Sequence, residues 1–116
     1  MQKLAWEAIE RETMNQHITR QTLHGEDATL ARFFLKQGGV VPRHAHRNEQ
    51  FTNVLSGALL FRFDDREVTV RAGEVVRIAP HEAHHVEVLE DTEVLDVFAP
   101  RREDWLRKED AYLRGK

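Results

Sequence analysis

Three histidines and a glutamine stand at intervals that let their side chains meet. His44 and His46 are two residues apart in the run Gly38-Gly-Val-Val-Pro-Arg-His44-Ala-His46-Arg-Asn-Glu49-Gln50, and on a strand that spacing sends both imidazoles to one side. Two imidazoles converging on one point begin a chelate. Gln50 lies a further even step along and, past a small turn, returns to the same face as a third ligand. In Pro80-His81-Glu-Ala-His84-His85-Val-Glu-Val, alternation separates neighbours. His84 shares parity with Val86 and Val88 and points inward, whereas His85 shares parity with Glu87 and points outward. The chain has no cysteine, so a metal must be held by nitrogen and oxygen, and no disulfide or Cys nucleophile is available. A lone histidine more often packs or sits at the surface than ligates, and His17, His24, His81 and His85 read that way.

The elements that must position these residues are short strands. Gly25, Gly38 with Gly39, Gly57 and Gly73 fall between runs of β-formers, and Asp64 with Asp65 marks a further tight turn. Between those marks the period is two. Leu59, Phe61 and Phe63 share one face and Arg62 takes the other, while Val68 and Val70 alternate with Glu67, Thr69 and Arg71, so the two runs predict a hairpin. Residues 29–36, 84–90 and 93–98 also read as strands, and strands at this spacing mean an all-β sandwich or barrel. Residues 3–11 fit either a turn of helix or an edge strand. After Pro100 the composition is helical. Glu103 with Arg107 and Asp104 with Lys108 are acid-first i,i+4 pairs, and Trp105, Leu106 and Tyr112 offer apolar surface for docking.

At 116 residues, with no linker, repeat or low-complexity tract, the chain predicts one domain, 1–116, with a barrel core over about 18–100 and a helical tail over 101–116. Seventeen Lys and Arg against 20 Asp and Glu give a net charge of −3, which offers no electrostatic reason to bind nucleic acid. No apolar run approaches the ~18 residues of a spanning helix, and Lys3, Glu7, Glu10 and Arg11 interrupt the start, so the expectation is no membrane and a cytoplasmic location.

Taken together, Gly38, His44, His46 and Gly57, followed by Gly73, Pro80 and His84, resemble the two motifs of the cupin superfamily, over roughly residues 28–100. The stretch 58–72 between Gly57 and Gly73 is as short as in compact single-domain cupins. The resemblance implies a double-stranded β-helix, or jelly-roll barrel, with a short C-terminal helix. It implies one divalent transition metal ion held by His44, His46, Gln50 and His84, with Glu49 as an alternative to Gln50. Ala79 and His81 stand where that family more often has a Pro and a Gly. Three imidazoles and an amide oxygen are formally neutral, leaving the cation its full charge and, on an octahedral ion, two positions for water or substrate. Zn, Ni, Mn and Fe all suit this set.

Val94, Asp96 and Phe98 share one face of the last strand, and Arg101 and Arg102 follow at the barrel mouth. By residue type alone, Asp96 reads equally as the partner of an arginine, and Arg102 as the partner of Glu103 or Asp104. The string LDVFAPRREDWL, with HAHRNEQFTNVLSG, is similar to the small cupins known as pectin degradation proteins, which convert unsaturated uronates from the ring form to the linear keto acid. That resemblance implies a metal-dependent isomerase of carbohydrate metabolism. Asp96 and Arg102 would be catalytic, and Phe98 and Arg102 would bind a sugar-acid substrate, Arg102 ideally gripping its carboxylate at two points. A metal-dependent dioxygenase or lyase on a small carbonyl compound, or a non-catalytic sugar- or acid-binding cupin, fits the same barrel. Compact cupins usually pair, so the expectation is a homodimer, and Leu95 and Val97, facing away from Asp96, need cover.

Overall fold

The computed structural model describes residues 1–115. Strands β1 (Glu12–Thr13), β2 (Ile18–His24), β3 (Thr29–Leu35), β4 (Val40–His44) and β5 (Glu49–Ser56) precede β6 (Ala58–Phe63), β7 (Glu67–Arg71), β8 (Val75–Ile78), β9 (His84–Val88) and β10 (Thr92–Ala99). They form two antiparallel sheets, a six-stranded one in the order β1-β2-β3-β10-β5-β8 and a four-stranded one in the order β4-β9-β6-β7. The sheets pack face to face as a cupin-like β-sandwich. No described helix is long and apolar enough to cross a membrane.

Alternation decides what each strand buries. Ala31, Phe33 and Leu35 on β3, Val54 on β5, Leu59 and Phe61 on β6, Val86 and Val88 on β9 and Val94 and Phe98 on β10 make the core. The predicted hairpin of β6 and β7 is present, Phe61 pairing with Val68 and Leu59 with Val70, although Val68 faces out and only Val70 is buried. Gly57, between β5 and β6, has φ +89, and a Cβ there would strike the Asp91 carbonyl and Thr92, so the turn requires glycine twice over. The core-facing series of β10 includes one charged residue: Asp96 lies between Val94 and Phe98, level with Thr52 of β5 and Ala31 of β3.

The ends settle what the sequence left open and correct one expectation. Residues 3–11 take the first of the two expected forms: a 3-10 turn at Trp6–Ala8 leads to the two-residue β1. The buried amide of Gln21 on β2 clips it down, donating to the carbonyls of Trp6 and Ile9 at 2.8 and 2.9 Å. The expected single C-terminal helix is instead two single turns, α1 (Glu103–Leu106) and α2 (Ala111–Arg114), separated by Lys108 at φ 62. The i,i+4 pairs do not form. Glu103 binds Arg101, Asp104 binds Arg102 and Arg107 binds Glu109, because each acid finds a closer base once the chain bends. Lys116, the last residue of the predicted tail, lies outside the described residues.

Long-range contacts dock the bent tail. Arg20 of β2 is buried, donates to Glu12 at 3.1 Å and Asp110 at 3.0 Å, and lies 4.5 Å from the Trp105 ring. The Arg102 guanidinium lies 4.2 Å from the same indole, so Trp105 is packed against two cations. Leu106 is exposed, contrary to its expected docking role.

Candidate metal and substrate site

Each histidine reaches the site from a different local setting. His44 ends β4, paired with His84 of β9, and His46 lies beyond β4 in the connection to β5. One ring nitrogen from each of the three lies within 4.8 Å of the others. Ring centroids are 4.3 Å apart for His44 and His84, 5.3 Å for His46 and His84, and 5.7 Å for His44 and His46. Nδ1 of His44 faces the Pro42 carbonyl at 2.8 Å, that of His84 the Glu82 carbonyl at 2.8 Å, and that of His46 the Asn48 carbonyl at 3.1 Å. A neutral imidazole that donates from Nδ1 leaves Nε2 as a lone pair, so backbone carbonyls select the ligating tautomer of all three rings. Burial keeps them neutral: it lowers His44 to about 3 and His46 to about 4, and lowers His84 as well.

Gln50, at the start of β5, is buried and points to the same place. Its Nε2 donates to Thr52 Oγ1 at 2.9 Å, which turns Oε1 toward His46 Nε2 at 3.0 Å. With Nδ1 of His46 already facing a carbonyl, two lone pairs then face each other, an arrangement that a shared cation relieves. The donor set therefore fits a divalent transition metal: three imidazole nitrogens and an amide oxygen, in a pocket that burial has cleared of competing protons. Glu49 points the other way and binds Arg77 on the outer surface at 2.5 Å. His85 is turned outward toward Glu87, as its parity predicts, and His81 is exposed.

The cavity over these donor groups is lined by Asp96, Phe98, Arg102, Trp105 and Tyr112 as well as by His44, Gln50 and His84. Asp96 is 6% exposed, and its Oδ1 has no hydrogen-bond partner. No arginine pairs with it among the described residues. Burial pushes its carboxyl up to about 7, against the opposing pull of the Thr52 hydroxyl and the Arg102 guanidinium. Phe98 packs edge-on against His46 at 5.7 Å and lies 4.7 Å under the Arg102 guanidinium.

Arg102 is 1% exposed, unlike the surface charge its sequence setting suggests. Asp104 takes its Nε and Nη2 at 3.0 and 2.7 Å, and Nη2 also reaches the Tyr112 hydroxyl at 2.7 Å. The two-point grip expected for a substrate carboxylate is thus spent on Asp104, and Nη1 is the nitrogen without a protein partner among the described residues.

Three participants escape the sequence reading. Thr52 shares the parity of Gln50 and Val54 on β5 and was findable that way. Asn48 is buried and donates to the carbonyls of Pro100 and Arg101, tying the His46 segment to the start of the tail. Tyr112, expected only to dock, stacks on the His44 ring with centroids 4.5 Å apart.

A sequence search of curated proteins finds no match. Among solved structures, KdgF from a Halomonas species superposes with a TM-score of 0.82 at 23% identity, covering 90% of this chain and 99% of that one. An RmlC-like cupin from Shewanella frigidimarina gives 0.83 at 24% identity, covering 90% and 96%. Oxalate decarboxylase from Bacillus subtilis, with Mn(II) centres, gives 0.76 at 15% identity, covering 84% of this chain and 29% of that one. The cupin domain family matches residues 31–98, more than half of the sequence, and the chain belongs to that family.

Proposed function

We propose that this cupin is a metal-dependent isomerase that converts an unsaturated uronate-like sugar acid from its ring form to the linear keto acid. The observation that carries the reading is the Asp96 carboxyl, buried and unpartnered at Oδ1 in the cavity lined by His44, Gln50 and His84, with His46 grouped beside them, and raised to about 7. A divalent cation on those four ligands supplies Lewis-acid polarisation of a bound oxygen. Asp96 takes the proton of a ring hydroxyl or enol and returns one to carbon, so the reaction is an isomerisation that needs no oxidant. A carboxyl near neutral pKa can do both, because both protonation states are populated at pH 7. Nη1 of Arg102 binds the uronate carboxylate at one point, held in place by Asp104, and the face of Phe98 packs on the sugar.

In this reading the whole chain works as one domain, its tail forming part of the cavity wall. The resemblance of LDVFAPRREDWL to the uronate-converting cupins and the likeness to KdgF support this substrate class. A second copy of the chain covers the outer face of the six-stranded sheet, where Phe51 and Val97 stand side by side with Leu55 and Val75 exposed nearby.

The test compares wild type with Asp96→Asn, both loaded with metal. Loss of the unsaturated uronate chromophore is followed, together with oxygen uptake and metal content. The variant is expected to keep its metal and to lose roughly 10² to 10⁴ of the rate, the usual contribution of a positioned acid or base. Undiminished ketonisation, loss of metal in the variant, or oxygen consumption by wild type counts against the assignment.

A further inference from the structure

The tail does more than close the barrel, and its Tyr112 hydroxyl has hydrogen-bonding capacity that the fold does not use. The phenol oxygen accepts from Arg102 Nη2 at 2.7 Å and from Trp105 Nε1 at 3.1 Å. A guanidinium and an indole N–H only donate, so neither can take the proton of the phenol in return. With both lone pairs occupied, that proton needs an acceptor elsewhere, and among the described residues none binds it. The ring is fixed face to face on His44 with an interplanar angle of 27°, and it lines the same cavity as His44 and His84. Arg102, whose Nη1 has no protein partner among the described residues, lines that cavity too. Two donors without acceptors, beside a cluster of imidazoles, describe a binding surface for oxygen atoms that carry negative charge.

We propose that Tyr112 is a ligand-binding residue of this site, its O–H donating to an oxygen of a small oxyanion held over His44, His46 and His84. The proposal rests on the metal reading above but not on the uronate reaction. It makes the C-terminal tail part of the binding site. It also gives a reason for the paired donors Arg102 and Trp105: they set the hydroxyl so that its proton faces the ligand and not the protein.

The test uses full-length wild type and Tyr112→Phe, each loaded with Co(II), with metal content measured by elemental analysis. The phenylalanine keeps the ring on His44 and removes only the hydroxyl, while Arg102 keeps its contacts to Asp104. Binding is followed in the visible spectrum of the cobalt for two probes. Acetohydroxamate places charged oxygens over the metal, and imidazole binds the same metal but presents no acceptor. Loss of one hydrogen bond to a charged oxygen is expected to weaken acetohydroxamate about tenfold in the variant and leave imidazole within about twofold. Equal acetohydroxamate affinity in the two proteins means that the proton serves only water and overturns the proposal. Parallel weakening of both probes overturns it as well, since the hydroxyl then merely braces the wall. A loaded wild type that ignores acetohydroxamate overturns the oxyanion site and leaves the metal reading standing. A chain that takes up no cobalt overturns both.

Discussion

Asp96→Asn in the metal-free chain isolates the energetic consequence of placing a carboxyl among Val94, Phe98 and Thr52. The folded protein holds the Asp96 proton up to about pH 7, while the unfolded chain releases it near the ordinary 3.8. The folded state therefore binds this proton more tightly. The stability that follows is complete below about pH 4, falls as pH rises through the interval, and is gone above about 7. At about 1.4 kcal/mol per pH unit across that interval, the change is roughly 4 kcal/mol. Asparagine has nearly the same shape and cannot ionise. Urea unfolding of both proteins at pH 4, 5, 6, 7 and 8 is expected to show the variant gaining on wild type by about 1.4 kcal/mol per unit up to pH 7, then holding level. Titration of the histidines affects both proteins and cancels in the difference. A gap that stays constant over the whole range would show Asp96 ionising as it does in water, and the case for it as the proton carrier would go with it.

Two further outcomes test the cavity and the outer face. Burial holds His44 near 3 and His46 near 4, so protons do not compete for those two rings at pH 5, and it lowers His84 as well. Equilibrium dialysis against Zn or Ni should then lose less than about 30-fold in affinity between pH 7 and pH 5, the share of one ordinary imidazole, whereas three ordinary imidazoles of pKa 6.5 would lose on the order of 10⁴. Val97→Asp places a charge on the exposed face beside Phe51 without touching the core, and sedimentation is expected to find dimeric wild type and monomeric variant. A variant that stays dimeric removes this face from the interface.

The residues legible in the sequence were those governed by a period of two. His84 against His85, and Asp96 with Phe98 against Leu95 and Val97, were separable by parity alone, because neighbouring strand positions face opposite sides. Gln50 was reachable by the same count. The tail was not legible. Its composition fits a helix, but Lys108 at positive φ bends the chain, Glu103, Asp104 and Arg107 pair with residues two positions away, and Asp110 binds Arg20, ninety positions away. Pattern reading has no access to such a partner. It therefore took Arg102 for a mouth residue and Tyr112 for packing, where the fold buries the first and stacks the second on a histidine.

The carbonyls of Pro42, Asn48 and Glu82 set the way in which the three histidines would take an ion. Since main-chain oxygens orient the rings, three Nε2 atoms would meet a cation with little turning of the side chains. A formally uncharged cage of imidazoles would follow the general affinity order of first-row cations and impose no order of its own, so the surroundings' supply would decide which of them a given preparation carries.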